Sequence, residues 1–113
     1  MLKIVAMFNF RPDMTHEAGQ RYWNEVHNDV VRRCLPECRK YIQNVSVPVR
    51  SQAWDFDGVS ELWFDDMDAI KRSFSGPLND ELVADEENFA VNKRWMIVTE
   101  NPIFEQAAVG GAL

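Results

Sequence analysis

Two histidines, His16 and His27, are the only imidazoles in the 113 residues. His27 follows Trp23 by one helical turn and borders an apolar stripe. A neutral-pH titrating ring at such a place suits a general acid/base. It equally suits a core histidine satisfied by a carbonyl or a carboxylate, and both readings stay open. Tyr41 brings a hydroxyl that needs a partner if buried. Glu61 sits between Val59 and Trp63 in an otherwise apolar run, and a buried carboxylate is costly unless paired. It either joins a Lys or Arg as a structural pair or faces a pocket with a raised pKa. Trp54, Trp23 and Phe8 are the aromatics placed to wall such a pocket or to pack as plain core.

Other chemistries lack their residues. Cys34 and Cys38, spaced C-x3-C, have no second pair. His27 precedes Cys34 by seven residues, about 10 Å along a helix axis. A zinc site would need every Cys and His, His16 included, to converge. No glycine-rich phosphate loop, G-x-S-x-G, C-x-x-C or H-E-x-x-H occurs. The residues therefore point to neither metal nor organic cofactor. The formal net charge is −6, and the basic clusters are only the pairs Arg32-Arg33 and Arg39-Lys40. Nucleic acid and anionic membranes both call for a positive footprint, so neither is an expected partner. The opening Leu2–Phe10 run is broken by Lys3 and Asn9 and is too short to span a bilayer. With no secretory leader in view, a cytoplasmic location is expected. What remains is a small apolar, aromatic-lined site with a few polar groups.

These side chains need elements to hold them. With 46% hydrophobic and 27% charged residues, the chain reads as one folded domain over 1–105 and a weakly patterned, mobile tail over 106–113. Lys3 to Phe10 reads as a strand with both faces apolar. Arg11-Pro12-Asp13 breaks it, and Thr15 suits the N-cap of a helix running to about Cys34. Ala18, Tyr22, Val26 and Val30 mark that helix's apolar stripe. Arg39–Val47 and Val59–Phe64 read as strands separated by a loop that carries Trp54. Asp65 or Asp66 caps a second helix, a short third spans 78–90, and Arg94–Glu100 closes as a strand. The order β-α-β-β-α-β, with one extra helix, is α+β and ferredoxin-like with an antiparallel sheet. Helices cover one face of such a sheet. Met7, Leu62, Phe64 and Met96 are expected on the other, and a second copy packed sheet to sheet would bury them. A homodimer follows.

The run Phe10-Arg11-Pro12-Asp13-Met14-Thr15-His16-Glu17 resembles the opening of EthD-family domains. So do Tyr22-Trp23-x-x-x-His27, Val30-Val31-Arg32 and Tyr41-x-Gln43-Asn44. Asp57-Gly58-Val59-x-Glu61-Leu62-Trp63-Phe64-Asp65 resembles the family's most recognisable stretch, and Asp85-Glu86-x-x-Phe89 its segment before the last strand. The likeness covers roughly residues 3 to 104. It implies a dimeric α+β barrel with a pocket between helices and sheet. His27 and Tyr41 would handle protons there, with Glu61 and Trp63 on the sheet side. Related proteins include methylmuconolactone methyl-isomerase, polyketide cyclases and dehydratases, and cofactor-free monooxygenases. Haem ligation in the manner of the haem-degrading members of this fold is not expected, because no His follows residue 27.

The expectation is an enzyme of isomerase, cyclase or dehydratase type acting on a small hydrophobic cyclic metabolite. His27, Tyr41 and Glu61 would be catalytic; Trp63, Trp54, Phe8 and Trp23 would bind substrate. The rivals are a non-catalytic metabolite-binding protein of a degradation pathway and a cofactor-free monooxygenase.

Overall fold

The structure is a computed structural model and describes residues 1–109. Strand β1 (Leu2–Phe10) leads into a helix built in three segments: α1 (His16–Arg21), a π-helical stretch (Tyr22–His27) and α2 (Asn28–Cys34). Then come β2 (Lys40–Val45), β3 (Gly58–Phe64), α3 (Met67–Ser73), α4 (Pro77–Glu86) and β4 (Ala90–Val98). The sheet order is β2-β3-β1-β4, and every pairing is antiparallel. The ferredoxin-like α+β fold is thus present, with the longest loop between β2 and β3.

Local signals place the helix starts. Thr15 Oγ1 accepts from the Ala18 amide at 3.1 Å, and Asp66 Oδ1 from the Ala69 amide at 2.8 Å. Pro77 opens α4, where a missing N–H costs nothing. Gly76, at φ 84°, makes the turn before it.

The buried stripe of the first helix differs from the one expected. Val26 is 45% exposed, whereas Gly19, Trp23, His27 and Val31 are buried. These lie four residues apart, and each such step over-rotates a 3.6-residue helix by about 40°. The wider π turn absorbs that drift and keeps Trp23 and His27 facing the sheet. The helix runs on through Asn28-Asp29 without a break.

Register assigns the two faces of the sheet. Ile4 opposes Leu62 and Ile97, Ala6 opposes Ser60 and Trp95, and Tyr41 opposes Leu62. Ile4 and Leu62 belong to the core beneath the helices, so these residues and Phe64 lie on the covered face. Leu62 and Phe64 therefore do not lie on the open face, contrary to expectation; Phe64 is fully buried against Phe74. The open face carries Lys3, Val5, Met7, Val59, Glu61, Trp63, Arg94 and Met96, a more mixed surface than the pattern suggested. A register shift between Met7 and Asn9 marks a bulge in β4 at Asn92–Lys93, where Asn92 has φ 54°. Residues 99–109 follow without regular structure and are all exposed. Positions 110–113 of the expected tail lie outside the described residues.

Candidate functional site

A cavity of about 360 Å³ lies between the covered sheet face and the helices. That falls in the roughly 300–1,000 Å³ range of small-molecule sites. β1 contributes Ile4, Ala6 and Phe8 to its lining, and the first helix contributes Trp23 and His27. Tyr41 and Ser60 come from β2 and β3. One end is closed by an aromatic cluster. Phe8 meets Trp23 at a centroid distance of 4.8 Å and Phe89 at 5.5 Å, both edge to face. Gly58 permits this packing, since a Cβ there would sit 2.7 Å from the Phe8 ring and 2.9 Å from Trp23.

His27 is 4% exposed. Its Nδ1 lies 2.7 Å from Asp85 Oδ2. Asp85 also accepts from Tyr22 Oη at 2.7 Å and from Asn88 Nδ2 at 3.3 Å. Burial pushes the Asp85 carboxyl up, but the hydrogen bonds from Tyr22, His27 and Asn88 outweigh it and hold the group below its ordinary value. An ionised Asp85 can only accept, so Nδ1 carries a proton, and in the neutral ring Nε2 holds the lone pair. Among the described residues no sealed side-chain nitrogen or oxygen lacks a partner. Among the described residues Nε2 has no protein partner, and His27 lines the cavity on which it opens.

Tyr41 Oη accepts from Gln43 Nε2 at 2.9 Å, and the same amide donates to the Trp23 carbonyl of the π segment at 2.9 Å. Burial raises the Tyr41 hydroxyl above its ordinary value, so the phenol stays protonated at neutral pH. Trp23 and Ser60 also stand within hydrogen-bonding reach of this hydroxyl. The cavity thus sets an oriented imidazole and a phenol in an otherwise mostly apolar wall.

Phe8, Trp23, His27 and Tyr41 are brought together at the cavity; Glu61, Trp63 and Trp54 are not. Strand alternation puts Glu61 and Trp63 on the open face, opposite the cavity. There Glu61 pairs with Lys3 at 2.9 Å and accepts from Asn44 at 3.0 Å. Asn44 first and Lys3 second hold its carboxyl below the ordinary range. Trp63 lies under the Lys3 and Lys40 ammonium groups, 4.9 and 4.7 Å from its ring centroid, and donates to Glu100 at 2.7 Å. Trp54 is 52% exposed and donates to the Val47 carbonyl at 2.7 Å. Sequence reasoning gave no site role to Tyr22, read as part of the apolar stripe, or to Asp85, noted only in the family-like motif. Asp85 stands in an acidic run that reads as solvated surface, and 58 residues separate it from His27. Among the described residues no three His, Cys, Asp or Glu side chains gather as a metal-ion site.

The EthD domain model matches residues 11–93, most of the chain. The chain belongs to the EthD family. A curated relative of this EthD chain is decarboxylase nsrE of Aspergillus novofumigatus, 32% identical over 80 residues. That match takes in 70% of this chain and 49% of the relative, so the chain spans about half the relative's length. An EthD-family protein from Bacillus halodurans superposes with a TM-score of 0.74 at 20% identity, covering 89% of this chain and 99% of that one. A protein from Bacteroides fragilis described as dimeric and ferredoxin-like gives 0.64 at 13%, covering 86% and 93%. SnoaB of Streptomyces nogalater, described as a cofactor-independent oxygenase, gives 0.64 at 12%, covering 93% and 97%. At these identities the solved structures establish the shared fold. No helix among the described residues is long and apolar enough to cross a membrane.

Proposed function

We propose that this EthD chain is an acid/base enzyme for a small hydrophobic cyclic metabolite, lactone, aromatic-derived or polyketide-like, and that it needs no metal or organic cofactor. The observation that carries the reading is the Asp85–His27 pair, set 2.7 Å apart with the second ring nitrogen open to an apolar cavity. Nε2 takes a proton from a carbon beside a carbonyl, and Tyr41 donates to the oxygen on which charge develops. Asp85 stabilises the imidazolium that forms. His27 then returns the proton at another atom, the step shared by isomerases, cyclases and dehydratases. The name of nsrE adds decarboxylation, which also ends in protonation of a carbanion. The working unit is a homodimer joined through the open sheet faces, as the dimeric description of one structural neighbour supports. Two free thiols, Cys34 and Cys38, suit a reducing cytoplasmic setting.

Hydrogen–deuterium exchange of 2-tetralone in D2O, followed by NMR, tests this directly. The wild type is expected to speed exchange beside the carbonyl, and His27→Gln to lose about 10²- to 10⁴-fold of that rate with the fold retained. Exchange unchanged in His27→Gln would overturn the assignment of the base. No acceleration by the wild type, with binding retained, would leave a metabolite-binding protein instead.

A further inference from the structure

Gln43 on β2 is not part of the cavity wall, yet it is bonded to two residues that are, Tyr41 and Trp23. Its amide nitrogen donates to Tyr41 Oη at 2.9 Å and to the Trp23 main-chain carbonyl at 2.9 Å. A primary amide has two N–H groups, and both are used here. Tyr41 and Gln43 stand two apart on one strand, so their side chains share the covered face. Gln43 opposes Ser60 there, and Ser60 is buried. The half-buried amide is thus pinned between strand and helix.

The helix end of this bridge is the π segment. Trp23 supplies the carbonyl, and His27 follows it by four residues in the same segment. The winding of this segment aims His27. A 3.6-residue helix would set side chains five apart about 140° from each other. The π turn, which pairs residues i and i+5, instead brings both Tyr22 and His27 to Asp85. Gln43 therefore ties the Tyr41 hydroxyl to the turn that carries the imidazole. It also limits that hydroxyl. An O–H group rotates to suit its neighbours, and Trp23 and Ser60 are both within reach. The Gln43 N–H fills one lone pair of Oη and narrows the directions left to the phenol proton.

Resting on the acid/base reading above, we propose that Gln43 is a positioning residue, whose amide holds the Tyr41 hydroxyl in register with the π turn that carries His27. Gln43 stands behind the wall and acts through Tyr41. Without the amide the phenol keeps its place but loses its fixed direction.

A double-mutant cycle on the deuterium exchange of 2-tetralone tests this. Gln43→Met keeps the length of the side chain and removes the amide. It is expected to lower kcat about ten-fold and to leave KM within about two-fold. In the Tyr41→Phe background, where no hydroxyl remains to be held, the same substitution is expected to change kcat by less than about two-fold. A damaged fold would slow both backgrounds alike. Equal losses in the two backgrounds, or no loss in Gln43→Met, would overturn the proposal. Gln43→Glu covers the case in which Gln43→Met does not fold. It keeps the shape but accepts where the amide donates, so wild-type kcat in Gln43→Glu would also overturn it. A second measurement needs no turnover. With tyrosine labelled with carbon-13 at Cζ, the chain gives two NMR signals, from Tyr22 and Tyr41. Gln43→Met is expected to shift the Tyr41 signal and leave the Tyr22 signal in place. An unmoved Tyr41 signal would overturn the bridge. A moved Tyr41 signal, with no exchange by the wild type, would overturn the acid/base reading and leave Gln43 as the residue that holds the phenol.

Discussion

At the scale of single residues, the environment of a group matters more than its type. Cys34 shows this. Burial, together with its hydrogen bond to Glu81, pushes the thiol up to about 11. Burial likewise raises Cys38. Both are thiols at neutral pH, and the thiolate is the reactive form. Iodoacetamide at pH 7.5 is therefore expected to alkylate the native protein slowly and the urea-unfolded chain quickly; rapid native labelling read by mass spectrometry would contradict this. Asp85 shows the opposite shift. Its carboxyl is held low in the fold against an ordinary value of about 3.9. Its contribution to stability is complete above that value and is lost as pH falls through the lower, folded one. The stability difference between wild type and Asp85→Asn, from urea unfolding, should be constant above about pH 5 and shrink towards pH 3. A difference that stays level to pH 3 would remove Asp85 as the acid-sensitive group. Glu61 teaches the same lesson from the failed side. Its type left a structural pair and a pocket acid both open, and Lys3 and Asn44 make it a paired, half-buried carboxylate.

At the scale of elements, the alternation along β3 and the winding of the first helix decide what reaches the cavity. Gly58, Ser60, Leu62 and Phe64 share the covered face, and Val59, Glu61 and Trp63 the other. Reading Glu61 and Trp63 as one face was right; which face it was depends on the partner strands. Pattern located the first helix and its Thr15 cap, but an ideal α period chose Val26 over Val31 for its buried side. A local π turn is invisible to a 3.6-residue template. Gly58 is where strand and helix come closest. Gly58→Ala is expected to cost about 1–3 kcal/mol through overpacking against Phe8 and Trp23. A urea midpoint equal to that of wild type would show that the cluster can yield.

At the scale of the molecule, the open sheet face separates two states of the chain. Lys3, Glu61, Glu100 and Trp63 already satisfy one another across it, and Val5, Met7 and Met96 lie on the same side. In a sheet-to-sheet dimer these apolar groups lose contact with water. Met96, 52% exposed in the single chain, can take a charge there without disturbing the core. Met96→Asp is expected to shift a dimeric wild type towards monomer in light scattering at micromolar protein. A monomeric wild type would sink the assembly, and a dimeric variant would move the interface off this face. Residue pattern alone carries the order of elements, the Thr15 cap, the family, His27 beside an apolar stripe and Tyr41 at the start of a strand. Periodicity and capping are local, so a string of residues carries them. That Asp85 holds His27 while Tyr22 donates to Asp85, that Glu61 and Trp63 face away, and that Lys93 pairs with Glu86 emerge from the folded chain. Each of those depends on which strand pairs with which and on contacts across tens of residues, which no local pattern encodes.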